Sequence, residues 1–451
     1  MLFRGAAFAG RLFFVYLCMK RFSLILLSAL AALISFSSCE GFGLYEKTDP
    51  SFLIIRSDSD TPVPIAEGDV IELKVGDYCL PAYTDGTPGW FGLVSEGKCI
   101  VEDTSVALYY LGVLYAIQGG ETSVTAGYKE NEIHFTVKVP GNPFSGKVYF
   151  TGIDRDRDRP EEDWEGRIQF SDLLIENGAL TDRQCNLISS DSEGNLWFGV
   201  TKGNRVFLSC NGRELGDNAS LGFPALELNY IPKDHFIRTK HGKLFYFNGK
   251  QYKVISTDGT VAEGTAEGNI LDMDVDANGN LYLWTWTYMS LHVWIIAPDG
   301  STTSHEGGTD RIVLNASLDD EGNEYFICKY GDNLFGIYKN GEHLYSLRDA
   351  YNPRMIVHGT DLWIASFSPD GDPDENGNIT NWGVYMVKNR DIKQLATNLF
   401  AFGTIDFCIT KSGSPYVLAG DAWGHFVYSD SGPFMFIPFV NSDNFQFAVI
   451  D

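Results

Sequence analysis

The chain is poor in basic residues, with 34 Lys and Arg against 59 Asp and Glu, a formal charge of −25. That balance excludes nucleic acid as a partner and adsorption to an anionic membrane surface, because both need a cationic face. Cysteine is sparse and never forms C-x-x-C, which excludes a ribbon- or finger-type zinc site. Hydrolase signatures are missing as well: there is no H-E-x-x-H, no G-x-S-x-G and no clear pair of acids. "GLVSEGKC" (92–99) imitates a phosphate loop, but Cys99 stands where a Mg²⁺-binding Ser or Thr belongs. The 8 histidines are scattered, so no histidine cluster offers itself as a base or a ligand set. No catalytic residue is assigned, and the expectation is a protein that is not an enzyme. Enzymes that assemble a site from distant residues around an axis would leave the same blank.

What is abundant points to strands. Glycine numbers 47 and aromatics make up 14%, while apolar residues at 44% and charged ones at 21% describe a globular chain. Short strands joined by tight turns fit that composition.

The beginning reads as an export signal. "MKRFSLILLSALAALISFSSC" (19–39) has Lys20 and Arg21, an apolar core from Leu24 to Ile34, and small residues before Cys39. It resembles a bacterial lipoprotein signal, with Phe36-Ser37-Ser38 a relaxed form of the residues before the cut. The resemblance implies lipidation of Cys39, with 1–38 a signal region, Met19 the true start and 39–50 a tether. The competing reading is a membrane helix over 12–36, but the apolar core is short for the roughly 20 residues a span requires. The location that follows is the cell envelope, at the outer membrane, held by a lipid anchor only. Removing the leader deletes Arg4, Arg11, Lys20 and Arg21 and no acid, so the mature chain is more acidic still.

Residues 51–140 contain short, evenly punctuated strand-like runs, which suggest a β-sandwich. "IELKVGD" (71–77), "GVLYAIQGGETSVTAGY" (112–128) and "FTVKV" (135–139) resemble the bacterial group 2 Ig-like domain. Such domains are spacers or adhesion modules, and the resemblance carries over no catalytic residue. Cys79 and Cys99 fall in this unit and are a candidate disulfide in an exported protein; buried free thiols are the alternative. Cys185, Cys210, Cys328 and Cys408 sit singly in apolar runs and read as buried thiols.

After the linker "PGNPFSG" (140–146) the chain repeats. Glycine turns before aromatic strands recur at Gly146, Gly194, Gly242, Gly279, Gly322, Gly359 and Gly413, about 45 residues apart, which is the length of one propeller blade. A second series, Gly178, Gly212, Gly259, Gly300, Gly341 and Gly432, follows Asn, Asp or Ser at hairpin positions. Inner strands precede six of the first turns: "NLISSD", "HFIRTK", "LDMDVD", "NASLDD", "RMIVHG" and "DFCITK". The unit entering at Gly146 lacks one, and "FQFAVID" (445–451) lacks a unit. The expectation is an all-β chain: an Ig-like sandwich, then a seven-bladed β-propeller over 141–451 closed by the C-terminal strand. "NLISSDSEGNLWFGVTKG" (186–203) resembles repeats of the sensor propellers in two-component regulators and, more loosely, NHL-like propellers. No kinase follows it, so a sensing role is not carried over.

Three stretches are candidate sites. "DPDENGN" (372–378) matches the opening of a calcium loop, with Asp372, Asp374, Asn376 and the carbonyl of Asn378 as ligands and Gly377 for the sharp turn. Its twelfth position is Gly383 rather than Glu, and a solvated acidic loop is the alternative. "DMDVDANGN" (272–280) matches on paper, but Asp272 and Asp274 fall within a strand. "LYLWTWTYMSLHVW" (281–294) places Tyr282, Trp284, Trp286 and Tyr288 on one strand face. Trp286 and Tyr288, nearest the turn, are candidate sugar-stacking residues, and core packing is the alternative. "DRDRDRPEEDWEG" (154–166) reads as a solvated loop in which arginines pair with acids.

The function expected is that of a non-catalytic envelope lipoprotein whose propeller binds a glycan or an envelope protein, with calcium as the one candidate cofactor. The alternatives are a propeller polysaccharide hydrolase or lyase and a structural subunit of an outer-membrane complex. An enzyme needs two acids converging at the channel, and a scaffold needs none.

Overall fold

The computed structural model describes residues 50–451 except 58, 88–90, 95–97, 111, 154–172, 177–178, 192, 203–204, 223–236, 288–289, 309–310, 371–380, 400–404, 422–423 and 439–443. The described chain is all-β, with no helix. Two sheets form first. One runs Ser59–Ile65, Ser51–Arg56, Tyr78–Thr84, Val113–Ala116, Ala107–Tyr110, with Gly92–Leu93 beside Tyr78–Thr84. The other runs Val70–Glu72, Asn131–Val139, Gly120–Tyr128, Cys99–Val101. Alternation decides which side chains go inward: along Asn131–Val139 the residues Ile133, Phe135, Val137 and Val139 are buried and their neighbours are not. They meet Phe52, Ile54 and Leu114 of the first sheet in one core. Cys79 and Cys99 stand in that core as free thiols rather than as a disulfide. Each lies on its own sheet, opposite Leu114 and Ala126, and packs as a small apolar side chain. Burial pushes both thiols up to about 12.

From Lys147 onward the sheets are antiparallel and four-stranded, of the kind that form propeller blades. Five are separate, with innermost strands Ile237–Lys240, Asn269–Val275, Ile312–Leu318, Tyr351–His358 and Ile405–Ile409. A seven-stranded sheet joins two more such units through the long strand Ala179–Ser190. The first part of that strand pairs with Leu173–Glu176 and the second with Leu196–Lys202. At the far end of this sheet Asn444–Ile450 pairs with Lys147–Ile153 over the whole strand, from Lys147 opposite Ile450 to Ile153 opposite Asn444. The C-terminal strand is therefore the inner strand of the sheet that Gly146 enters. Successive inner strands touch in a closed cycle, in which Asn444–Ile450 contacts both Ile405–Ile409 and Ala179–Ser190.

The two parts are packed together. Ile117, fully buried, joins the core of the sheet made by residues 405–438. Its carbonyl accepts the Phe436 amide at 2.8 Å, and Gln118 bridges to Met435. Phe144, in the connecting segment, lies against Tyr416 and Phe434. Gly76 has φ +87°, and a Cβ there would sit 2.3 Å from the Phe426 ring. The connection between the parts is thus a docked element, and the outer edge of that sheet is covered.

Candidate functional site: the polar wall of the inner-strand ring

An inner strand has a sheet partner on one edge only, so the N–H groups of its other edge need partners. The preceding inner strand supplies them with side chains. Asp272 accepts the Ala316 amide at 2.8 Å and the Asn315 side-chain amide at 3.0 Å. Asp274 accepts the Leu318 amide, the Ser317 hydroxyl and the Lys240 ammonium, each at 2.9 Å. Lys240, 7% exposed, also donates to the Leu318 carbonyl and so ties three inner strands together. Asp406 accepts the Phe447 amide at 3.3 Å and its neighbour Phe407 at 2.9 Å. Gln446 accepts the Ile188 amide at 2.7 Å, and the Ser189 and Thr239 hydroxyls meet at 2.7 Å. Arg354 donates from Nε to the Ile405 carbonyl at 3.3 Å.

Register puts four of these polar residues in one row. Asp272, Asn315, Arg354 and Asp406 lie opposite Trp284, Ile327, Ala365 and Leu418 on four successive inner strands. The first three directly follow a break in pairing register, the kind of bulge that re-aims a side chain. The corresponding positions on the other side of the ring are apolar, with Leu187 opposite Gly199 and Phe447 opposite Phe150. The wall is polar on one arc only. Burial pushes the Asp406 carboxyl up to about 6, against the opposing pull of Arg354 and the two amides.

The opposite strand ends carry a different device. Asp191, Asp276 and Asp319 each accept amides two and four residues on, and the side-chain amides of Asn195, Asn280 and Asn323. The repeated D-x-x-G-N is thus a self-satisfied turn. Asp451 takes the corresponding place at the end of the closing strand, accepting the Thr410 hydroxyl at 2.6 Å and the Ser412 hydroxyl.

Trp284 is fully buried and donates to Glu324 at 3.1 Å. Trp286 is half-buried, packed on the cluster around Trp284 and Leu291. Tyr288, the loop residues Asp372, Asp374, Asn376 and Asn378, the stretch 154–166 and Cys39 lie outside the described residues. The turn at 288, the 372 loop and the 154 stretch all join the second strand of their sheets to the third. Among the described residues no group of three His, Cys, Asp or Glu is placed to hold a metal. Asp272 and Asp274, a paper match to a calcium loop, are committed to the next strand's amides. The row of Asn315, Arg354 and Asp406 escaped the sequence reading, although each opens or interrupts an apolar inner strand.

No protein-family model matches the chain, and no curated protein does. Among solved structures it is similar to a 6-phosphogluconolactonase-like protein from Bacteroides fragilis, at 12% identity and a TM-score of 0.39, over 68% of this chain and 99% of that one. A Lactobacillus plantarum protein follows at 10% identity and a TM-score of 0.37, over 67% and 99%. TolB from Acinetobacter baumannii matches at 10% identity and a TM-score of 0.36, over 74% and 80%. At these scores the likeness adds nothing to what the sheets show by themselves.

Proposed function

We propose that the chain is a lipid-anchored envelope protein, attached through Cys39, in which an Ig-like sandwich and a seven-bladed propeller form one body that binds a glycan or an envelope protein without catalysis. The observation that carries the reading is the state of the inner-strand acids. Asp272, Asp274 and Asp406 each accept at least two hydrogen bonds that hold neighbouring strands in place. An acid fixed in that way is a structural anion rather than a proton shuttle. The cyclic contact of inner strands supports the blade count, and the common core of the first two sheets supports the sandwich. A hydrolase or lyase would need two of these carboxylates free to face a substrate.

The test is a screen of the full detergent-solubilised chain against glycans and envelope proteins, in calcium and then in EDTA. Retained, unmodified ligand supports the reading. Binding lost in EDTA assigns a cation to the 372 loop, and binding indifferent to EDTA discards it. Cleavage of a bound polysaccharide replaces this reading with the hydrolytic one.

A further inference from the structure

We propose that the polar arc of the inner-strand wall is a carboxylate site, in which Arg354 and Asn315 hold the acid group and an adjacent hydroxyl of an anionic sugar such as a uronate. The inference rests on the glycan-binding reading above and names the class of glycan. Asn315 is the first part of the argument. Its side-chain amide donates to Asp272, which fixes the orientation of the group, and its Oδ1 is buried with no hydrogen-bond partner. A buried acceptor without a donor is a standing cost that a ligand hydroxyl removes.

Arg354 is the second part. It is exposed, its Nε is anchored on the Ile405 carbonyl, and it makes no ion pair within 4.0 Å among the described residues. Asp406 attracts it electrostatically but spends its oxygens on the Phe407 and Phe447 amides. The terminal nitrogens therefore remain for a ligand, and a guanidinium fork matches a carboxylate with two parallel hydrogen bonds. Arg354 and Asn315 sit in the same register row on adjacent, touching inner strands. Ile312 and Leu314, 62% and 37% exposed on the Asn315 strand, offer apolar contact to the C–H face of a sugar ring. The chain's charge of −25 opposes densely charged polyanions, so the acid group comes on an otherwise neutral frame.

Calorimetric titration of the full chain with a glucuronate oligosaccharide and with the matching neutral glucose oligosaccharide tests this. The acidic sugar is expected to bind at least about tenfold more tightly than the neutral one. Arg354→Gln is expected to abolish that preference, while Arg354→Lys, keeping the charge and losing the fork, retains part of it. The Lys variant carries the test if the Gln variant does not fold. Equal binding of both sugars, unchanged in Arg354→Gln, would overturn the carboxylate site and leave the glycan reading standing. Binding of neither sugar, with other glycans retained in the screen, would overturn the site alone. Silence toward every glycan would overturn the site and the glycan half of the reading together.

Discussion

Replacing Asp274 with Ala removes the knot that ties three inner strands. The carboxylate is fully buried and holds the Lys240 ammonium, the Ser317 hydroxyl and the Leu318 amide, all at 2.9 Å. Truncation leaves a buried ammonium without its counter-ion, which costs about 3–5 kcal/mol. It also orphans the Leu318 N–H, worth about 1–3 kcal/mol more when nothing replaces the acceptor. The two overlap, so a net loss of about 5 kcal/mol is expected. With an unfolding entropy near 2.1 cal/mol/K per residue over roughly 400 residues, that corresponds to a fall of about 6 °C in Tm. Scanning calorimetry of wild type, Asp274→Ala, Lys240→Met and the double variant measures it. The double variant should lose less than the two single losses added together, because it leaves no unpaired charge. An Asp274→Ala protein within about 1 °C of wild type would refute the idea that inner-strand acids hold the ring.

Other expectations follow from the same geometry. Gly146→Ala places a Cβ 2.2 Å from the Ile450 carbonyl and against the Phe144 ring, so it should loosen the closing strand, seen as faster amide exchange over 444–450. His425, 4% exposed, has its pKa pushed down to about 3 by burial. The unfolded chain binds that proton more readily, so stability is full above about pH 6.5 and falls on acidification, by about 2 kcal/mol at pH 5. His425→Leu should flatten that slope. Asp406, raised to about 6, acts in the other direction: its contribution favours the fold on the acid side and is lost as pH rises through about 6. Ile117→Ala should cost about 2–4 kcal/mol and expose residues 140–146 to protease, where wild type resists cleavage. A non-reducing tryptic map should recover the Cys79 and Cys99 peptides separately, as their free buried thiols require.

Much of the fold was legible because turns announce themselves locally. Gly194, Gly242, Gly279, Gly322, Gly359 and Gly413 all have positive φ at the first turn of a sheet, which glycine alone adopts freely. The pairing of 444–450 with 147–153 followed from a missing strand at one end and a surplus strand at the other. The wall was harder to read because its partners are about 40 residues apart and meet only through register. Asp272 and Asp274 therefore suggested a local calcium loop, when each reaches across to the next strand. Ile117 was hidden for the same reason: an apolar residue after a sandwich strand reads as sandwich core, yet it packs on the sheet of residues 405–438.

Hydrogen–deuterium exchange of the full chain, with and without a glycan retained in the screen, tests the central claim most directly. The account predicts new protection along the inner strands 269–275, 312–318 and 351–358, centred on Asn315 and Arg354. Protection confined to the sandwich, or to the outer strands of the sheets, would contradict it.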